Sequence, residues 1–132
     1  MRKFVLPVLL AVVSSSAAAE WVKVGGHDDD PATVYVDRAT MRRTGHMVKM
    51  WSLFDYKSAR VPGEPLEPYL SMRGQSEYDC KNRRSRALAI SFHPNNMARG
   101  ELSYSNTDPD NWRPVSPGSI AETLWKLACH KR

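Results

Sequence analysis

Apolar and polar residues alternate with a period of two in several stretches of this chain, the pattern of strands that bury one face. Trp21-Val22-Lys23-Val24 is the first such stretch, stopped by Gly25-Gly26. Thr33-Val34-Tyr35-Val36-Asp37 is the second, across the polar loop His27-Asp28-Asp29-Asp30-Pro31, and the two predict a hairpin. Asp37 is placed to cap a single helical turn over residues 39–41, after which Thr44-Gly45 reverses the chain. Residues 46–56 predict the clearest strand, with Val48, Met50 and Ser52 on one face and Met47, Lys49, Trp51 and Leu53 on the other. Apolar residues on both faces point to a central position in the sheet. Residues 57–68 include Pro62, Gly63, Pro65 and Pro68 and predict a loop, because proline can neither donate to a ladder nor continue a helix. A long strand is expected over residues 69–80, bulged at Gly74, then a turn at 81–84. Further strands are expected at 87–92 and 101–105, which makes a meander of about six strands.

The period changes near the C-terminus. Ser119 stands three residues before Glu122, the spacing at which serine and glutamate satisfy two otherwise unpaired amides at a helix start. At 3.6 residues per turn, Ile120, Leu124, Leu127 and Ala128 share one face with Ala121 and Trp125 beside them, while Glu122, Thr123 and Lys126 lie opposite. This predicts one amphipathic helix, with Cys129 at the border of its apolar arc. A single antiparallel sheet covered on one face by that helix, an α+β architecture, is the simplest two-layer solution.

At the other end, Met1-Arg2-Lys3, an apolar run over residues 4–13 and Ala17-Ala18-Ala19 have the order of an export leader, with cleavage expected after Ala19. The apolar run is far shorter than the ~20 residues of a membrane-spanning helix. No cysteine near the cleavage site offers itself for lipid attachment. The expected mature unit is a single domain of residues 20–132 with no transmembrane segment. Two of the 19 basic residues and none of the 14 acidic ones belong to the leader, which leaves a formal charge of +3. Mild basicity and export together argue against a nucleic-acid partner. An even cysteine count in an exported chain predicts a disulfide between Cys80 and Cys129. Cys129-His130 is adjacent rather than spaced like a zinc pair, and no metal or other cofactor is expected.

Candidate chemistry is sparse. His27-Asp28-Asp29-Asp30 combines carboxylates with an imidazole but lacks the spacing of a calcium loop, and is read as a solvated turn. The histidines His27, His46, His93 and His130 fall in no hydrolase motif, so a non-enzymatic role is expected; a carboxylate pair assembled in space would leave little trace in sequence, and that alternative stays open. Lys81, Arg83, Arg84 and Arg86 form a basic cluster next to Cys80, suited either to docking an acidic partner or to blunting a sheet edge. Trp112, in a turn-rich stretch, is the aromatic best placed to be partly exposed and to anchor an interface.

Several segments in order resemble the surface-adhesin protein E family of Gram-negative bacteria. They are Trp21-Val22-Lys23-Val24-Gly25, Tyr35-Val36-Asp37, Val48-Lys49-Met50-Trp51, Glu77-Tyr78-Asp79-Cys80, residues 100–106, Trp112-Arg113-Pro114-Val115, Pro117-Gly118-Ser119 and Leu124-Trp125-Lys126-Leu127-Ala128-Cys129. The resemblance implies a bent antiparallel sheet whose concave face holds a C-terminal helix tied by the disulfide. It also implies an outer-surface protein that binds host extracellular-matrix or serum glycoproteins such as vitronectin and laminin. The family's namesake looks like a lipoprotein, whereas this chain has no lipid-accepting cysteine. A periplasmic protein with an envelope or small-molecule partner is the alternative expectation.

Overall fold

The computed structural model describes residues 20–130; the expected leader, residues 1–19, lies outside them. Seven strands, β1 (Trp21–Gly25), β2 (Ala32–Thr44), β3 (Met47–Arg60), β4 (Tyr69–Asp79), β5 (Arg84–His93), β6 (Tyr104–Asn106) and β7 (Arg113–Pro114), precede one helix, α1 (Ile120–Cys129). The sheet is an antiparallel meander in the order β1-β2-β3-β4-β5-β6. β6 pairs with residues 90–92 of β5, and β7 pairs with Arg84 and Ser85 at its opposite end.

The core lies between α1 and one face of the three long central strands. Val34 and Val36 of β2, Val48 and Met50 of β3 and Tyr78 of β4 meet Leu124 and Ala128 of the helix. Val48, Met50 and Ser52 are all buried, as their alternation predicts. Burial pushes the Tyr78 hydroxyl up to about 12, against a hydrogen bond from Ser76 that lowers it, so this ring stays neutral in the core. The helix presents Leu124, Trp125, Ala128 and Cys129 to the sheet. Ile120, expected on the same face, is 37% exposed, because α1 is turned towards Trp125 and Cys129.

Several local expectations are corrected by strand register, which no single segment encodes. Residues 39–41 form no helical turn. β2 instead runs through to Thr44, and its pairing with β3 slips between Asp37 and Arg42. The Asp37 carboxylate accepts from the Ala39 amide and the Thr40 hydroxyl, both at 3.1 Å, and so holds a bulge within the strand. β3 continues to Arg60, which shortens the expected loop to residues 61–68. The bulge expected at Gly74 lies across the ladder, where Leu88 is the extra residue between Ala87 and Ala89. Gly74 serves close approach, since a Cβ there would sit 3.0 Å from the Ala89 carbonyl oxygen. The strand expected over 101–105 is the shorter β6, and β7 has no counterpart in the sequence reading. At the helix start Ser119 Oγ accepts from the Glu122 amide at 3.2 Å, as expected. The glutamate, however, accepts from the Gly118 amide at 3.3 Å, because the Ser119 amide already donates to the Ser116 carbonyl.

Cys80 and Cys129 form the expected disulfide, at a sequence separation of 49. Closing a loop of that length restricts the unfolded chain, so Cys80→Ser or Cys129→Ser is expected to cost about 2–5 kcal/mol. A thermal melt with and without reductant checks it. Reductant should lower the midpoint of the native protein and leave that of either variant unmoved.

Candidate binding surface

The basic cluster sits on the β4–β5 hairpin, and its geometry is set by two carboxylates the sequence reading left out. Strand register places Glu77 opposite Arg86 and Asp79 opposite Arg84. Asp79 is fully buried. One of its oxygens accepts from the Lys81 amide at 3.0 Å and the Asn82 amide at 3.1 Å; the other accepts from the Asn82 side chain at 3.0 Å and Arg84 Nε at 2.8 Å. Burial alone would raise its pKa, but these hydrogen bonds outweigh burial and hold it well below the usual carboxylate range. His46 Nε2 stands 3.9 Å away. The Asp79 backbone carbonyl accepts the Trp125 indole N–H at 2.9 Å, and the next residue is Cys80. One corner therefore joins the hairpin turn, β4 and α1.

Each arginine of the cluster has a carboxylate and a ring. Arg84 pairs with Asp79, and Arg86 with Glu77 at 2.9 Å. Their guanidinium carbons lie 4.5 and 4.7 Å from the centre of the Trp112 ring, which the β7 segment carries over the edge of β5. Arg83, at φ 47, pairs with Glu122 of the helix and covers the Trp125 ring at 4.9 Å. Lys81 is exposed at the hairpin tip, and Trp112 is half-buried. The structure thus brings Arg84, Arg86 and Trp112 into one stack, with Arg83 on the helix side of the hairpin. A pattern that could have exposed the pairing is mirror symmetry about the turn: Glu77 and Asp79 precede it at the same offsets at which Arg84 and Arg86 follow.

Other polar features serve the fold. A groove of about 820 Å³ opens between the β1–β2 hairpin and the start of α1, lined by Gly26, His27, Asp30, Phe54, Tyr56 and Ser119 among others. The His27-to-Asp30 turn closes on itself, with Asp30 accepting from the His27 amide at 2.7 Å. Among the described residues no three or more His, Cys, Asp or Glu side chains gather as a metal site. His93 is buried, with Nε2 2.9 Å from Ser91 Oγ. That is a hydroxyl–imidazole pair, but Nδ1, where an orienting acid would stand, meets no partner among the described residues. Burial depresses the His93 pKa, the Arg73 charge adds to this, and the Gly100 backbone opposes it. Neither Ser91 nor His93 lines the groove. Residues 96–98 are latched onto the sheet by Asp55, which accepts from Asn96 Nδ2 and the Met97 amide, and by Ser71, which accepts from the Ala98 amide. No sequence signal marked that latch.

The family model described as surface-adhesin protein E matches residues 21–130. No curated protein matches the chain. Among solved structures, crystal form II of Haemophilus influenzae protein E aligns over 84% of this chain and 96% of its own, with TM-score 0.60 and 11% identity. The selenomethionine form aligns over 73% and 78%, with TM-score 0.58 and 12% identity. Protein E from non-typeable Haemophilus influenzae aligns over 85% of each chain, with TM-score 0.56 and 13% identity. At such identities the likeness to these structures shows a common fold and no more.

Removing the Asp79 carboxylate strands several donors around a buried site, and Asp79→Ala is expected to cost about 3 kcal/mol. Its pKa is lower folded than unfolded, so its contribution is complete above the unfolded carboxylate range near pH ~4 and drains away as pH falls below that. Urea melts of the native protein and Asp79→Asn at neutral pH and towards pH ~2 check the sign. The stability gap between them should narrow in acid; a gap independent of pH would contradict the assignment.

Proposed function

The chain belongs to the surface-adhesin protein E family, and from that premise we propose that it is an exported, non-enzymatic binding protein of the adhesin type. Its working unit is residues 20–132 once a leader of residues 1–19 is removed. It acts in the periplasm or on the outer cell surface, where host extracellular-matrix or serum glycoproteins are its partners. The observation that carries this reading is the stack of Arg84 and Arg86 on a half-buried Trp112. Tryptophan and arginine dominate the energetic centres of protein interfaces. Here the three side chains are ordered in advance by Asp79, Glu77 and each other, so binding sacrifices little of their conformational freedom. Exposed Lys81 and Arg83 extend the surface along the hairpin.

The groove beside His27 and Tyr56 favours a second reading, a periplasmic protein that takes a small envelope-derived ligand there. Among the described residues no helix is long and apolar enough to cross a membrane.

Biolayer interferometry of residues 20–132 against immobilised vitronectin and laminin at physiological salt separates the readings. Saturable binding is expected, with Trp112→Ala weakening it at least tenfold while the melting temperature changes little. Absence of saturable binding, or binding indifferent to Trp112, counts against the adhesin surface.

A further inference from the structure

The face of the sheet opposite α1 holds a second surface, which borders the hairpin corner at Glu77 and Arg86. Strand register lays out its side chains as a grid. Lys23, Tyr35, Leu53, Arg73 and Ser91 form one row across β1 to β5, and Trp21, Asp37, Trp51 and Gln75 form the next. Arg42, Lys49, Glu77 and Arg86 lie in line beyond them. The carboxylates of this face are already engaged: Asp79 by Arg84, Glu77 by Arg86, Asp37 by its own bulge and Asp55 by the 96–98 latch. By contrast Lys23, Arg42, Lys49 and Arg73 have no carboxylate within 4.0 Å among the described residues. Arg42 and Lys49 even stand directly opposite each other across the β2–β3 ladder. Like charges in that position destabilise a sheet, so folding alone gives no reason for the pair.

In the middle of this field Trp51 is half-buried, with the Arg73 guanidinium 4.0 Å from the centre of its ring. Leu53 is fully buried beneath the surface, while Trp21 and Tyr35 are half-buried, leaving the cations and the rings as the features a partner meets. Lys23 and Arg73 are three strands apart, about 14 Å at the usual strand spacing.

We propose that this open sheet face binds a sulfated linear polysaccharide, with Lys23, Arg42, Lys49 and Arg73 holding sulfates and Trp51 packing on a sugar ring. An array of cations spread across the strands matches negative groups repeated along an extended chain. A bilayer would need apolar side chains to insert, and Leu53 is recessed. Single-stranded nucleic acid also repeats negative charge, but the expected export of the chain separates it from such a partner. The inference stands whether or not the hairpin corner binds a protein.

The test is titration of residues 20–132 with a heparin fragment at physiological salt, followed by tryptophan fluorescence and calorimetry. Two charge-removal variants, Lys49→Gln with Arg73→Gln and Lys23→Gln with Lys49→Gln, are compared with a control carrying Arg38→Gln and Lys126→Gln beside α1. Binding should weaken at least tenfold in both former variants and stay within twofold in the control, with melting temperatures reported for all. Trp51→Ala should weaken binding while leaving its salt dependence unchanged, since the ring carries no charge. The proposal is overturned if heparin does not bind, if the control weakens as much as the others, or if single-stranded DNA or phosphatidylglycerol vesicles compete equally at matched charge.

Discussion

Everything in this small domain depends on how one buried carboxylate is satisfied. Asp79 ends β4, accepts four hydrogen bonds from the turn that follows and from Arg84, and through its backbone carbonyl takes the indole N–H of Trp125. Cys80 comes next and ties the same point to Cys129. A charge at this depth is tolerable only because it is paired and hydrogen-bonded. Its partners lie in the hairpin turn and in β5, and its carbonyl's partner lies in α1, so the helix, the long strands and the arginine stack are set at one place.

The consequences spread along β5. Pairing with Asp79 and Glu77 fixes where Arg84 and Arg86 point, and their stacking fixes Trp112 and with it the short β7 strand. At the far end of the sheet a different device joins the strands: Tyr56, Tyr69, Phe92 and Tyr104 follow one another across β3 to β6, with Tyr69 and Phe92 stacked at 4.1 Å. Between these two clamps lies the open face on which the uncompensated cations are gathered.

Much of this was legible in the sequence. The alternation around Val48, Met50 and Ser52 identified the core face of the central strand, the Ser119 and Glu122 spacing marked the helix start, and cysteine parity gave the disulfide. Register was not legible, because it depends on which strand lies opposite. The Asp37 bulge therefore read as a helical turn, and the extra residue Leu88 was placed on the wrong strand. β7 escaped because it is two residues long and includes Pro114, and its pairing is decided by the Trp112 stack beside it. For the same reason a cluster of four cations read as free charges, although three of them are each paired with a carboxylate. The Asp55 latch joins residues some forty positions apart and carries no local signal.

Native-state hydrogen exchange across residues 76–86 and 120–129, with the disulfide intact, tests whether the Asp79–Cys80 corner makes hairpin and helix one cooperative unit. The account predicts that the Lys81 and Asn82 amides, which donate to Asp79, open at the same free energy as those of Leu124 to Ala128. If the helix amides exchange through a separate, lower-energy opening while the hairpin stays protected, the corner does not join them.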